Sequence, residues 1–139
     1  MARSSNSEAE HERQMRYRIL RCFWFDQTLD QEKLIAADGR RVRVFSPGWW
    51  NLEAGPDFRN AAIAFVGEAP AIKGAVEVLM RTSDWRHVEG DLAYGGVVLV
   101  VVLDHDIEAA TVMTARGNEV PVLPLRQALS EQQLIDVDA

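Results

Sequence analysis

The chain has one cysteine, Cys22, in 139 residues. That excludes an intrachain disulfide and a cysteine-based zinc site within one copy. Cys22 sits among apolar neighbours and is expected to be a buried, inert thiol. Long apolar runs are also missing. The longest, Val97 to Leu103, falls far short of the roughly 20 residues that span a bilayer. Met1 to Glu12 is polar and charged, unlike a secretory signal. Positive charge is in deficit, with 15 Lys and Arg against 21 Asp and Glu, a net charge of −6 and a pI near 5.0. Such a balance repels nucleic acid on average, so any nucleic-acid contact must be a local basic patch. It also argues against a membrane-surface protein. A cytoplasmic location without membrane contact is expected by elimination. No phosphate-cradling loop is present, because Gly95-Gly96 lacks the following Lys and Ser/Thr. No serine sits in a nucleophile elbow.

What is there is a core. Hydrophobic residues make up 47% of the chain, enough to fold one domain of this length. Residues 1–6 read as a disordered tail and 7–139 as a single domain. Ser7 and Glu10 have capping-box spacing and predict a helix start. Met15, Ile19, Cys22 and Phe23 form its apolar stripe, with Leu20 and Trp24 beside them and Arg13, Arg16, Arg18 and Arg21 largely off it. The helix should end near Asp26 to Thr28. Lys33 to Ala37 and Arg40 to Phe45 flank Asp38-Gly39, a hairpin signal. Phe58 to Val66 and Ala71 to Arg81 are further strands, with a bulge at Gly74. Ser83 reads as the N-cap of a short helix. Val97 to Leu103, apolar on both faces, reads as a buried central strand. Thr111 to Ala115 and Glu119 to Leu123 form a second hairpin, with Pro121 and Pro124 consigning the last strand to a sheet edge. Leu125 to Ile135 reads as one or two short helical turns. The fold class is α+β: an N-terminal helix packed on a mixed, mainly antiparallel sheet of five to seven strands.

The string Pro47-Gly48-Trp49-Trp50-Asn51, then Ala54-Gly55-Pro56-Asp57-Phe58-Arg59-Asn60-Ala61, is followed by Val76-Glu77-Val78, Ser83-Asp84-Trp85 and Ala93-Tyr94. With Cys22 to Gln27 and Glu119-Val120-Pro121, this ordered set resembles the bacterial domain-of-unknown-function family 2851, over roughly residues 12 to 125. The resemblance implies the amino-terminal portion of a longer protein and no established activity. The departures are specific. The family usually has Glu-x-His where this chain has Glu77-Val78-Leu79, and a His-x-His pair where only His87 remains. It usually has Leu-His-Val-Val where this chain has Leu99-Val100-Val101-Val102. Any histidine cluster in relatives is therefore largely lost here.

A second resemblance lies beneath the first. Pro56-Asp57 followed by Glu77 on a later strand is similar to the PD-(D/E)XK nuclease pattern, with a restriction-endonuclease-like fold as the more specific expectation. That resemblance implies that Asp57 and Glu77 are catalytic and hold Mg²⁺, a hard cation that takes oxygen ligands and acidifies bound water. The residue two after the Glu shares its face of the strand and is a Lys in that pattern; here it is Leu79. Lys73 has the same parity but lies four residues off, roughly 13 Å along a strand. Hydrolysis is thus expected to be crippled. The plainer alternatives are that Asp57 caps a turn and that Glu77 is salt-bridged to Arg59, Arg81 or a hairpin arginine.

The three histidines carry little. His87 is a loop residue with a metal-ligand role as the alternative. Asp104-His105-Asp106 looks like a metal triplet but sits where a strand must turn. His11 lies in the first helical turns. Trp49, Trp50 and Trp85 either seal the core edge or form an interaction surface. The helix arginines with Arg40, Arg41 and Arg43 form either a solvated, ion-paired face or a phosphate-binding one. The leading reading is a nuclease-like metal- and nucleic-acid-binding domain with a degraded site. The alternatives are a non-catalytic module for a protein partner or the missing C-terminal region, and an inactive member of a histidine-metal enzyme family.

Overall fold

The computed structural model describes residues 2–138. Helix α1 (Ala2–Asp26) opens the chain. Its backbone is helical from Ala2, where a tail was expected through residue 6; Met1 lies outside the described residues. The buried face is centred on Leu20 and Trp24, both fully inaccessible, with Tyr17, Ile19 and Phe23 half-buried beside them. This is a rotation from the predicted stripe, and it leaves Cys22 exposed rather than buried. Trp24 sets the rotation. It is the largest fully buried side chain, and its indole N–H donates to the Pro47 carbonyl at 3.0 Å. The helix stops at Asp26, and Gln27 takes a positive φ of 54°.

The Asp38-Gly39 turn forms as expected, with Gly39 at φ +89° and Arg40 N–H donating to Asp38 Oδ1 at 3.1 Å. Its first arm is not a strand. It pairs through one bridge, Ile35 with Arg41, because Leu34 and Ala36 are buried in the core and Ala37 N–H goes to the Val122 carbonyl at 2.8 Å. The second arm is β1 (Val42–Ser46), followed by the two-residue β2 (Trp49–Trp50), β3 (Phe58–Phe65) and β4 (Ile72–Arg81). Neighbours among these pair antiparallel: β1 and β2 both with β3, and β3 with β4. A 3₁₀ turn at Thr82–His87 and another at Leu92–Tyr94 lead to β5 (Val97–Asp104). This strand runs parallel to β4, with Glu77 opposite Val100 and Leu79 opposite Val102. Then come β6 (Thr111–Met113), β7 (Glu119–Pro124) and the short helix α2 (Glu131–Asp138). The sheet order is β1-β3-β4-β5-β7-β6, with β2 beside β3. The result is a mixed, mainly antiparallel sheet of seven strands among the described residues, as the pattern predicted.

Three local expectations are corrected. The bulges fall not at Gly74 but between Val44 and Ser46 in the β1–β3 ladder, at Arg59-Asn60 of β3, where Asn60 takes φ 57°, and between Ala75 and Val76 in the ladder to β5. Gly74 is a close approach instead: a Cβ there would strike the Val98 side chain and lie 2.9 Å from the Gly96 carbonyl. Ser83 is not an N-cap. Its N–H and hydroxyl both donate to Asp106, while Asp84 accepts from Arg81 N–H at 3.3 Å. Nor is β7 an edge. It pairs with β6 over residues 119–121 and with β5 over 122–124. Each proline thus has one side without a ladder partner, which is all that a missing N–H requires.

Two apolar layers sandwich the sheet. One face carries α1 and α2 over Phe58, Ile63, Val76, Val78, Leu99 and Val101. The other carries Trp85 and Tyr94 over Leu79, Val100, Val102 and Val122. Each fully buried Leu, Val or Phe contributes about 1.5–3 kcal/mol relative to exposure. The second layer covers only β4 to β6. Over β1 and β3 that face is bare, with Arg43, Phe45 and Arg59 exposed.

Gly48 joins β1 to the tryptophan segment. It has φ +94°, and a Cβ there would lie 2.8 Å from the Arg59 carbonyl. Gly48→Ala should therefore cost about 1–3 kcal/mol, read as a lowered urea midpoint with an unchanged m-value.

Candidate functional site

The register that pairs Phe58 with Val76 brings Asp57, just ahead of β3, opposite Glu77 within β4. Each carboxylate grips the backbone of the facing strand segment. Asp57 N–H donates to Glu77 Oε1 at 3.0 Å, and Val78 N–H donates to Asp57 Oδ2 at 3.0 Å. Each carboxylate thus replaces a rung that the sheet ladder has not yet begun to supply. The loop before Asp57 is equally pinned. Asn51 Nδ2 donates to the Pro56 carbonyl at 2.8 Å, Asn51 N–H donates to the Asp57 carbonyl at 2.8 Å, and the Tyr94 hydroxyl donates to the Gly55 carbonyl at 3.2 Å.

Helix α1 closes the site from the other side. Tyr17 hydroxyl donates to Asp57 Oδ2 at 2.7 Å, and Arg21 Nη1 lies 3.5 Å from Asp57 Oδ1. The Arg21 guanidinium stacks over Tyr17 at 4.4 Å and faces Trp50 at 5.6 Å. Its Nε is buried with no partner among the described residues. Trp50 in turn packs on Phe58 and Phe25, with centroids at 4.6 and 5.3 Å.

Glu77 is only 5% exposed. Burial first, and the nearby Asp57 charge second, push its carboxyl up to about 9, so it holds a proton at neutral pH. The same burial, with the Asp57 and Glu77 charges, holds the Tyr17 phenol far above its ordinary range. Burial and then Glu77 and Asp57 push Tyr94 up to about 12. A buried carboxyl kept neutral beside a second carboxyl is an arrangement that functional sites use and structural cores seldom need.

The predicted site residues separate cleanly. Asp57 and Glu77 come together. His87 is exposed and stands apart from them, and no group of three or more His, Cys, Asp or Glu that could hold a metal exists among the described residues. The Asp104-His105-Asp106 triplet diverges. Asp104 takes Arg126 in a two-point pair at 2.7 and 2.9 Å, His105 Nδ1 meets Thr82 Oγ1 at 2.9 Å, and Asp106 takes Ser83. The plain salt bridge expected for Glu77 is absent among the described residues, since Arg59 pairs with Glu53 and Arg81 with Asp84. Trp85 is 3% exposed and donates its indole N–H to the Met113 carbonyl at 2.9 Å. It is core, not interaction surface. Trp49 is 71% exposed and Trp50 half-buried. Tyr17, Arg21 and Asn51 were missed. The available signal was the i, i+4 spacing of Tyr17 and Arg21, which puts both on one helix face.

An α+β chain with a buried carboxylate pair bridging two antiparallel strands is the class defined by these observations. The chain belongs to the family described as Protein of unknown function (DUF2851), whose model matches residues 18–139. No curated protein and no solved structure matches it. Among the described residues no helix is long and apolar enough to cross a membrane.

The raised Glu77 carboxyl links folding to pH. Its stabilising contribution is complete below the unfolded value near 4.5 and is lost as pH rises through about 9. Stability should therefore fall as pH rises from about 5 towards 9. Glu77→Gln keeps the acceptor for Asp57 N–H but cannot ionise, so its melting temperature should stay flat across that window. Tyr17→Phe should cost about 1 kcal/mol at any pH, because one of two donors to Asp57 Oδ2 is lost.

Proposed function

We propose that this chain is a nuclease-like domain whose carboxylate pair can take Mg²⁺ but no longer sustains hydrolysis. The observation that carries the reading is the Asp57–Glu77 pair: one carboxylate ahead of a strand, the other within the next antiparallel strand, side by side. The order of long helix, antiparallel strands and a following parallel strand is compatible with the PD-(D/E)XK arrangement.

The residues fit a magnesium ion. Mg²⁺ is commonly held through one or two carboxylates and keeps several waters, so a third acidic side chain is not required. Asp57 and Glu77 would hold it: Glu77 Oε2 accepts no hydrogen bond among the described residues, and Asp57 Oδ1 meets only Arg21 Nη1, at 3.5 Å. When bound, the ion would lower the pKa of a coordinated water. The chain's own residues hold the rest of the site. Tyr17 and Val78 N–H orient Asp57, Asp57 N–H orients Glu77, and Trp50 and Phe25 shield the approach from α1. The cation at the site is Arg21. A guanidinium can grip a phosphate oxygen but cannot give up its proton near neutral pH. Position 79, two residues after Glu77, is Leu79, packed in the second apolar layer. Lys73, opposite Ala62 on the exposed part of β4, is too far along the strand to replace a lysine there. Neither Leu79 nor Arg21 can take a proton from an attacking water.

The test is a Mg²⁺ and Mn²⁺ titration followed by amide NMR. Saturable shifts and Mn²⁺ broadening at Asp57, Glu77 and Val78 are expected. They should be lost in Asp57→Asn and should tighten as pH rises, because the ion displaces the Glu77 proton. Unmoved amides at millimolar metal would refute the reading. Oligonucleotide cleavage by the purified chain is expected to be absent.

One observation favours a second reading, an inactive member of a histidine-metal family. Leu79 and Val100, the positions where the family resemblance implies histidines, lie on the Glu77 face, with Glu77 directly opposite Val100. Leu79→His with Val100→His should then create Zn²⁺ affinity measurable by calorimetry, with Glu77→Gln in that background removing it.

A further inference from the structure

The bare half of the second sheet face is chemically unlike the rest of the chain. Strand alternation puts Arg43 and Phe45 of β1 outward, next to exposed Arg41. Arg59 follows the core-facing Phe58 and so lies on the same side, opposite Trp49. Lys73 lies opposite Ala62 and completes the set. Between these cations the floor is Ala62 and Ala64, with no bulky side chain rising from it. Phe45 is 56% exposed, and the Arg43 guanidinium sits 5.2 Å over its ring.

Among the described residues, no carboxylate lies within 4 Å of Arg41, Arg43 or Lys73, and Arg59 meets only the exposed Glu53 at 3.5 Å. Four cations thus gather on one face of a chain whose net charge is −6. A sheet edge that needed only solubility would intersperse both signs. Exposed aromatic rings beside unpaired cations are costly to solubility and suit a ligand with flat apolar faces and repeating negative charge.

We infer that this face is a platform for single-stranded nucleic acid, with bases stacked on Trp49 and Phe45 and phosphates held by Arg41, Arg43, Arg59 and Lys73. A single strand fits better than a duplex, because only unpaired bases present their faces to aromatic side chains. Position adds to the argument. The tryptophan segment that displays Trp49 outward is the one that leads to Asp57, so a strand on the platform would run past the carboxylate pair. The inference deepens the nuclease-like reading and rests on it for the choice of ligand, but it does not require the metal.

The experiment is fluorescence anisotropy of a labelled pyrimidine 12-mer, single-stranded and as a duplex, at two salt concentrations without metal. The wild-type chain should bind the single strand more tightly than the duplex, with affinity falling as salt rises. Arg41→Glu with Arg43→Glu should weaken binding at least tenfold and flatten the salt dependence. Trp49→Ala should weaken it about fivefold or more. Arg18→Glu with Arg86→Glu, the same charge change on other surfaces, should stay within about threefold of wild type. Circular dichroism checks the fold of each variant. If the Arg41/Arg43 variant keeps wild-type affinity, the strand is held elsewhere, and the platform is wrong although the nuclease-like reading survives. No saturable binding at 50 mM salt, or adsorption to anionic vesicles without oligonucleotide binding, overturns the inference and leaves the metal titration to judge the site on its own.

Discussion

Two carboxyl groups, each holding the backbone of the facing strand segment, organise this structure. The Asp57 side chain takes Val78 N–H and the Glu77 side chain takes Asp57 N–H, so β3 and β4 cannot part at that end without exposing buried polar groups. Unmade buried hydrogen bonds cost about 1–3 kcal/mol each. Helix α1 is docked through the same pair by Tyr17 and Arg21, and the tryptophan segment is docked on α1 through Trp50 and Phe25. Helix, loop and sheet therefore meet at one electrostatic node at the end of the apolar seam that Leu20 and Trp24 make with the sheet.

That node is also where the sheet is least satisfied as pure structure. An apolar pair at 57 and 77 would pack the two strands with no buried charge, and such replacements are often neutral or stabilising. Retaining two carboxyls keeps one of them, Glu77, raised above the ordinary carboxylate range by burial and by its neighbour. What the node lacks is equally physical. Leu79 is built into the apolar layer beneath Trp85, and the nearby cation is an arginine, which binds anions but does not exchange its proton.

The strands and their pairing were legible because their signals are local and strong. The Val97–Leu103 run could only be a buried strand, and Asp38-Gly39 could only be a turn. The proximity of Asp57 to Glu77 was legible too, since one precedes and the other lies within neighbouring strands. The rotation of α1 was not. Its stripe contains apolar residues on more than one face, and Trp24 won through a hydrogen bond to Pro47 that no periodicity encodes. This also hid Tyr17 and Arg21, whose polar ends face a partner some 36 to 40 residues away. The prolines of β7 do not mark an edge, because each needs only one side free of a ladder partner. The two halves of β7 have different neighbours, and only the assembled sheet shows that. Trp85 looked like its exposed relatives in sequence, and burial distinguishes it only once Met113 supplies its partner.

The most direct measurement is the carboxyl ¹³C titration of Glu77 by NMR, with and without Mg²⁺. A midpoint far above the ordinary carboxylate range, moving down when Mg²⁺ is added and also lowered in Asp57→Asn, is the predicted result. A midpoint near 4.5 that ignores both the ion and the substitution would contradict the account, leaving the pair as an ordinary solvated contact.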